Sequence, residues 1–235
     1  MNFFIFILLA CLFIFLYCVY VLANDDFIFL RRDVTMEKIF NIIFIGSLAS
    51  LLVARIFYGI SVKSIFVSPF TFLLIPYFPG LSLLGGVVGI GIYLFFIVKR
   101  RENSFPLERM CDFFSIAFLI SLPVGFLGYL LFSEGSAEMI KLGAQAFVYL
   151  GLFIIFLKFF LPKLLSGKFK EGTITLFFLI FFSLVNLIAN AFLEINALEY
   201  LKNFENIILI LIFLLSIGKL IWYEGPSIVQ FKKGK

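Results

Sequence analysis

Apolar runs of roughly 18 or more residues recur along the whole chain, and each is long enough to cross a hydrocarbon core of ~30 Å as a helix. Inside a bilayer every backbone N–H and C=O must be satisfied within the chain, so runs of this kind fold as helices. The rest of the composition agrees: 63% of residues are hydrophobic and 14% charged, far from the balance of a water-soluble domain. The fold class expected is all-α, a polytopic membrane protein in one transmembrane domain spanning residues 1–235.

Seven spans are read, at Phe3–Leu22, Ile39–Ile60, Leu81–Val98, Cys111–Phe132, Ile140–Leu161, Ile174–Phe192 and Ile207–Trp222. The first lacks a basic start and a clear cleavage site, so it reads as a span and not as a signal peptide. Between spans two and three, SVKSIFVSPFTFLLIPYFPG is apolar but broken by Pro69, Pro76 and Pro79, which fits a re-entrant or interfacial piece. Basic residues gather in alternate loops: Arg31, Arg32 and Lys38, then Lys99, Arg100, Arg101 and Arg109, then Lys163, Lys168 and Lys170, and last Lys232, Lys233 and Lys235. The positive-inside rule therefore predicts an external amino terminus and a cytoplasmic carboxyl terminus. Segment Asn24–Glu37 mixes Phe27, Ile28, Phe29 and Leu30 with charges and is expected to lie along the cytoplasmic interface.

The net charge of +5 reports this topology, and no basic patch interleaved with aromatics lies outside the spans, so no nucleic-acid partner is expected. Histidine is absent, which removes the commonest general base and metal ligand. Cys11, Cys18 and Cys111 lie in or beside apolar segments without a CxxC pair and read as small hydrophobes. No metal site and no cofactor are expected.

A few polar residues stand inside the spans. Arg55 either snorkels to the headgroups or faces a polar cavity, in a structural or phosphate-binding role. Gly85 and Gly89 are four residues apart, with Gly86 and Gly91 nearby, which suits close helix packing or a groove for lipid. Asp112 reads as a helix cap or a partner of Arg109. Gln145 needs a partner inside its helix. Asn186 and Asn190 share one helix face and suit interhelical hydrogen bonds. Glu134, at the end of GFLGYLLFSEG, is either a boundary residue or part of a site.

Four fragments in order resemble the bacterial prolipoprotein diacylglyceryl transferase family. ARIFYGI (Ala54–Ile60) is similar to its G-A/G-R-hydrophobic-x-Y region, with Arg55 in register. GLSLLGG (Gly80–Gly86) is similar to G-L-S-F-H-G-G, with Leu84 at the histidine. Asp112 is followed at the family's distance by GFLGYLLFSE (Gly125–Glu134), similar to G-R-I-G-N-F-x-N-G-E. There Phe126 stands at the arginine, Tyr129 and Phe132 at the asparagines, and Glu134 at the acid. LGAQAFV (Leu142–Val148) is similar to H-P-T-Q-L-Y-E and keeps Gln145. In span six an ungapped placement puts Asn186 and Asn190 at an arginine and a glutamate of the family pattern, and Leu193 at its last arginine.

The resemblance implies a seven-span enzyme of the bacterial cytoplasmic (inner) membrane that moves diacylglyceryl from phosphatidylglycerol to the lipobox cysteine of a preprolipoprotein. It implies Glu134 and Arg55 as catalytic residues, base or orienter and phosphate holder respectively, and Gly85, Gly86, Gly125, Gly128 and Gln145 as substrate-binding. The partners implied are phosphatidylglycerol and a preprolipoprotein signal peptide. The replaced motif residues leave a second expectation, a catalytically inactive homologue acting as a phospholipid-binding or scaffold protein.

Overall fold

The computed structural model describes residues 4–61, 80–98, 105–131, 135–192, 200 and 202–233. All regular structure among the described residues is helical, and six helices are long and apolar enough to cross a membrane. The chain is a multi-pass helical membrane protein. It divides into two compact units, Met1–Leu107 and Glu108–Lys235.

The first unit holds α1 (Phe4–Ala23), α2 (Phe27–Arg31), α3 (Met36–Ser61) and α4 (Leu83–Tyr93), the last continued by a π turn at Leu94–Val98. The short α2 forms where an interfacial segment is expected. The Asp26 carboxylate accepts from the backbone N–H groups of Ile28 and Phe29, at 3.0 and 3.3 Å, and so caps its start. Phe29 is buried against Phe105, while Phe27 and Leu30 remain exposed.

The run Leu81–Val98, expected as the third span, gives a helix shorter than the six of spanning length. Its apolar helical stretch, Leu83–Phe96, rises only about 21 Å against a core of ~30 Å. Six helices among the described residues therefore reach spanning length. Most of the segment broken by Pro69, Pro76 and Pro79 lies outside the described residues.

The second unit contains α5 (Leu107–Leu130), α6 (Ser136–Ile155), a π turn at Phe156–Phe160, α7 (Leu161–Leu165), α8 (Thr173–Ala191) and α9 (Phe204–Lys233). Several helices start about a turn before the apolar runs that predict them. Glu108 and Arg109 join α5 and Glu205 joins α9, because helical hydrogen bonding does not stop where hydropathy does. The π turn has a local cause. Pro162 has no N–H and its ring crowds the carbonyl of Lys158, and a widened turn just before it accommodates both. Phe156 and Phe160 from this turn pack against Phe181 and Phe177 of α8, with ring centroids 6.1 and 4.8 Å apart.

Candidate functional site

Arg55 does not reach for the headgroups. It is 1% exposed, and its Nη1 donates to the carbonyl of Gly80 at 2.7 Å. Its guanidinium carbon lies 5.9 Å from the centre of the Tyr58 ring. A charged donor inside an apolar unit is stable only with such partners. Gly80 is suited to its place twice over: its φ is +147°, and a Cβ there would overlap the Tyr58 ring. Replacing Arg55 by leucine strips Gly80 of its charged donor and is expected to cost about 2 kcal/mol, read as a lower melting temperature in detergent. Lysine at the same position recovers part of that loss.

The glycines of α4 make helix contacts. A Cβ on Gly85 would stand 2.8 Å from the Cα of Ala54 and 2.9 Å from the carbonyl oxygen of Val53. On Gly89 it would stand 2.9 Å from the Cα of Ser50. Around this contact Ser50 Oγ donates to the Gly86 carbonyl at 2.8 Å, and the Ser82 N–H donates to the Ala54 carbonyl at 3.1 Å. Without a hydrophobic force between helices in lipid, close backbone approach and such hydrogen bonds hold the pair together. The packing role read for Gly85 and Gly89 is the one their geometry displays. Leu84, at the histidine of the family pattern, is buried.

In the second unit Gly125 and Gly128 lie half-buried near the end of α5. Between them Phe126, at the arginine of the family pattern, stacks on Tyr149 with centroids 5.6 Å apart and planes at 12°. Gln145 and Tyr149 of α6 both meet Asn186 of α8. Gln145 Nε2 donates to Asn186 Oδ1 at 3.3 Å, and Asn186 Nδ2 donates to the Tyr149 hydroxyl and the Phe182 carbonyl, each at 2.8 Å. Nearer the end of the helices, Lys141 Nζ donates to Asn190 Oδ1 at 3.0 Å, and Asn190 Nδ2 to Asn206 Oδ1 at 2.8 Å. The interhelical role expected of the two asparagines is borne out.

Asp112 caps a helix, but not its own, and it also interacts electrostatically with Arg109, the partner expected for it. Wholly buried on α5, its Oδ2 accepts from the Gly172 N–H at 2.7 Å. Its Oδ1 accepts from the N–H and hydroxyl of Thr175 at 2.8 and 2.9 Å. These groups open α8, whose N-cap position is Gly172 with φ at 88° and no capping side chain of its own. Glu224 of α9 clasps the same turn, accepting from the Lys170 N–H at 3.0 Å and the Thr173 hydroxyl at 2.7 Å.

Arg55, Gly85 and Gly86 thus belong to the first unit, and Gly125, Gly128 and Gln145 to the second. Glu134 lies outside the described residues, as do Phe132 and Leu193. Lys141, Tyr149 and Asn206 were not among the sequence candidates, although Lys141, Gln145 and Tyr149 recur at i, i+4 and i+8, a spacing that marks one helix face. Among the described residues no group of three or more His, Cys, Asp or Glu side chains is placed to hold a metal ion. Comparison with protein-family models, with curated proteins and with solved structures gives no match.

Proposed function

We propose that this chain is a divergent relative of the prolipoprotein diacylglyceryl transferases in a bacterial cytoplasmic membrane. It takes phosphatidylglycerol at the outer leaflet and passes its diacylglyceryl group to the lipobox cysteine of a preprolipoprotein. One observation carries the reading: two of the fragments on which the resemblance rests touch each other. ARIFYGI and GLSLLGG are joined by the Arg55–Gly80 bond, the Ser82–Ala54 bond and the approach of Gly85 to Ala54.

In this reading α4 is a short third crossing of seven, with the amino terminus outside and the carboxyl terminus in the cytoplasm. The thiolate attacks the glyceryl carbon that bears the phosphate. A C–S bond forms, the C–O bond breaks, and the electron pair leaves with glycerol phosphate. By the resemblance, Glu134 serves as base or orienter and Arg55 as phosphate holder, and Gly85, Gly86, Gly125, Gly128 and Gln145 are the substrate-binding positions.

A second reading, a catalytically inactive homologue that keeps phospholipid, is favoured by the replaced positions. Phe126 is spent on Tyr149, Leu84 is buried hydrocarbon, and the Asn186 amide is spent on Tyr149 and Phe182. Losing a general base costs ~10²- to 10⁴-fold, so any transfer is slow. Both readings predict that protein purified from membranes in mild detergent carries phosphatidylglycerol enriched over the bulk lipid. Bound lipid that mirrors the bulk composition would count against both.

A further inference from the structure

From Ala137, α6 continues through the π turn and α7 to Leu165 as one helix of 29 residues, about 43 Å long. Tilted by ~20°, it still outruns a hydrocarbon core of ~30 Å by about two turns. No residue from Leu142 to Leu157 is charged, so Lys158 is the first charge met after Lys141. Lys158 and the turns beyond it therefore stand among the headgroups. The outer side of this end is part basic and part apolar. Lys158, Phe159, Pro162, Lys163 and Leu165 are all exposed, while Phe156 and Leu164 are buried.

The turn that ends α7 brings two lysines together. The Gly167 N–H donates to the Leu164 carbonyl at 3.1 Å and the Lys168 N–H to the Lys163 carbonyl at 2.9 Å, with Gly167 at φ +70°. This pair of bonds is a Schellman motif, in which the residues joined by the longer loop commonly make an apolar contact. Here both are lysine, and both are exposed. Neighbouring like charges repel, so the arrangement favours an anion between them. Lys163 Nζ lies 5.4 Å from the centre of the Phe169 ring, and Lys158 Nζ 5.9 Å from that of Phe159. Among the described residues neither forms an ion pair, and the Lys168 side chain has no partner. Lys170 is different: its Nζ donates to the Tyr223 carbonyl and lies over the Tyr223 ring. Glu224 and Glu108 are engaged on Thr173 and on the Tyr223 hydroxyl. The negative end of a helix dipole suits cations, but it does not explain the exposed Phe159 and Leu165 beside them.

We propose that the exposed corner from Lys158 to Lys168 binds an anionic phospholipid of the adjoining leaflet, its phosphate between the ammonium groups of Lys163 and Lys168. Lys158 adds a third cation beside it, and Phe159 and Leu165 lie against the upper part of the acyl chains. A soluble phosphate would meet the lysines and leave both apolar side chains in water, whereas a lipid covers all of them. The corner is open, so the headgroup reaches it from the membrane plane without entering the bundle. This contact uses neither Arg55 nor Glu134 and is separate from the donor lipid of the transferase reading.

The test is native mass spectrometry of the full chain in neutral detergent, titrated in turn with phosphatidylglycerol, phosphatidylcholine and inorganic phosphate. The intact chain is expected to bind phosphatidylglycerol several-fold more tightly than phosphatidylcholine. Lys168→Gln is expected to weaken phosphatidylglycerol about 5-fold and the double variant Lys163→Gln/Lys168→Gln about 25-fold, as the attraction of each lysine to an anionic lipid surface implies. Phosphatidylcholine is bound alike by all chains, and Lys163→Arg/Lys168→Arg keeps the affinity of the intact chain. The bonds of the turn are backbone bonds, so these exchanges leave the melting temperature unchanged. Each bound lipid adds its own mass, so a phosphatidylglycerol that persists in the double variant is counted apart as the donor lipid. Phosphatidylglycerol bound equally by the intact chain and the double variant would overturn the lysine corner and leave the phospholipid reading standing. No phosphatidylglycerol on the intact chain would overturn both. Equal affinity for phosphatidylcholine, or displacement of the lysine-dependent lipid by equimolar inorganic phosphate, would also overturn the corner as a lipid site.

Discussion

Gly85→Val separates α3 from α4 and lowers stability by about 3 to 4 kcal/mol, the sum of overpacking and of the hydrogen bonds it breaks. The new side chain meets Ala54 Cα and the Val53 carbonyl at under 3 Å, and both are backbone, so neither swings aside. As the helices part, the bonds of Ser50 to Gly86, Ser82 to Ala54 and Arg55 to Gly80 lengthen together. Gly91 is the control. It is exposed, nothing lies within 4 Å of a Cβ built there, and Gly91→Ala should be neutral or slightly stabilising. Melting of both variants in detergent checks the pair. Equal melting temperatures would show that α3 and α4 are not in contact as described.

Asp112→Ala is expected to be nearly as damaging. It leaves the N–H groups of Gly172 and Thr175 and the Thr175 hydroxyl without their acceptor, at the start of a helix that has no capping side chain of its own. An N-cap is worth about 0.5–2 kcal/mol and an unmet buried donor about 1–3, so a total near 3 kcal/mol is expected. For a chain of this size that corresponds to a fall of about 10 °C in melting temperature. Asp112→Asn keeps one carbonyl acceptor and should fall between the two. Since Glu224 clasps the same turn through Lys170 and Thr173, the double variant with Glu224→Gln should lose more than either alone. A wild-type melting temperature in Asp112→Ala would show that α8 is capped by other groups.

Much of this was legible in the sequence, because lipid imposes simple rules. A run of apolar residues must be a helix, glycines four apart permit close approach, and an amide inside a span must find a partner. Gly85, Gly89, Asn186 and Asn190 follow those rules. Which partner a polar group finds was not legible. Asp112 is satisfied by Gly172 and Thr175, about sixty residues away, and no local pattern announces the pairing. Arg55 was ambiguous because a long cationic side chain has two ways to escape hydrocarbon, and only the position of Gly80 decides between them. The start of α4 lies two residues beyond the start of its apolar run for a different reason: hydropathy measures how apolar a run is, while Gly80 with its positive φ and Ser82 as N-cap fix where the helix begins. Asn206 was passed over because the seventh apolar run begins at the next residue, although the helix already includes it.

The central claim is tested most directly by diacylglyceryl transfer itself. The purified chain is mixed with phosphatidylglycerol and a lipobox peptide, and the intact mass of the peptide is followed over hours. An authentic transferase serves as positive control and Glu134→Gln as the negative. The account predicts that the protein binds phosphatidylglycerol and slowly adds one diacylglyceryl group to the peptide cysteine, with no product from the Glu134→Gln chain. Bound lipid without product would leave the inactive homologue. Neither product nor retained phosphatidylglycerol, with the control enzyme working, would contradict the account.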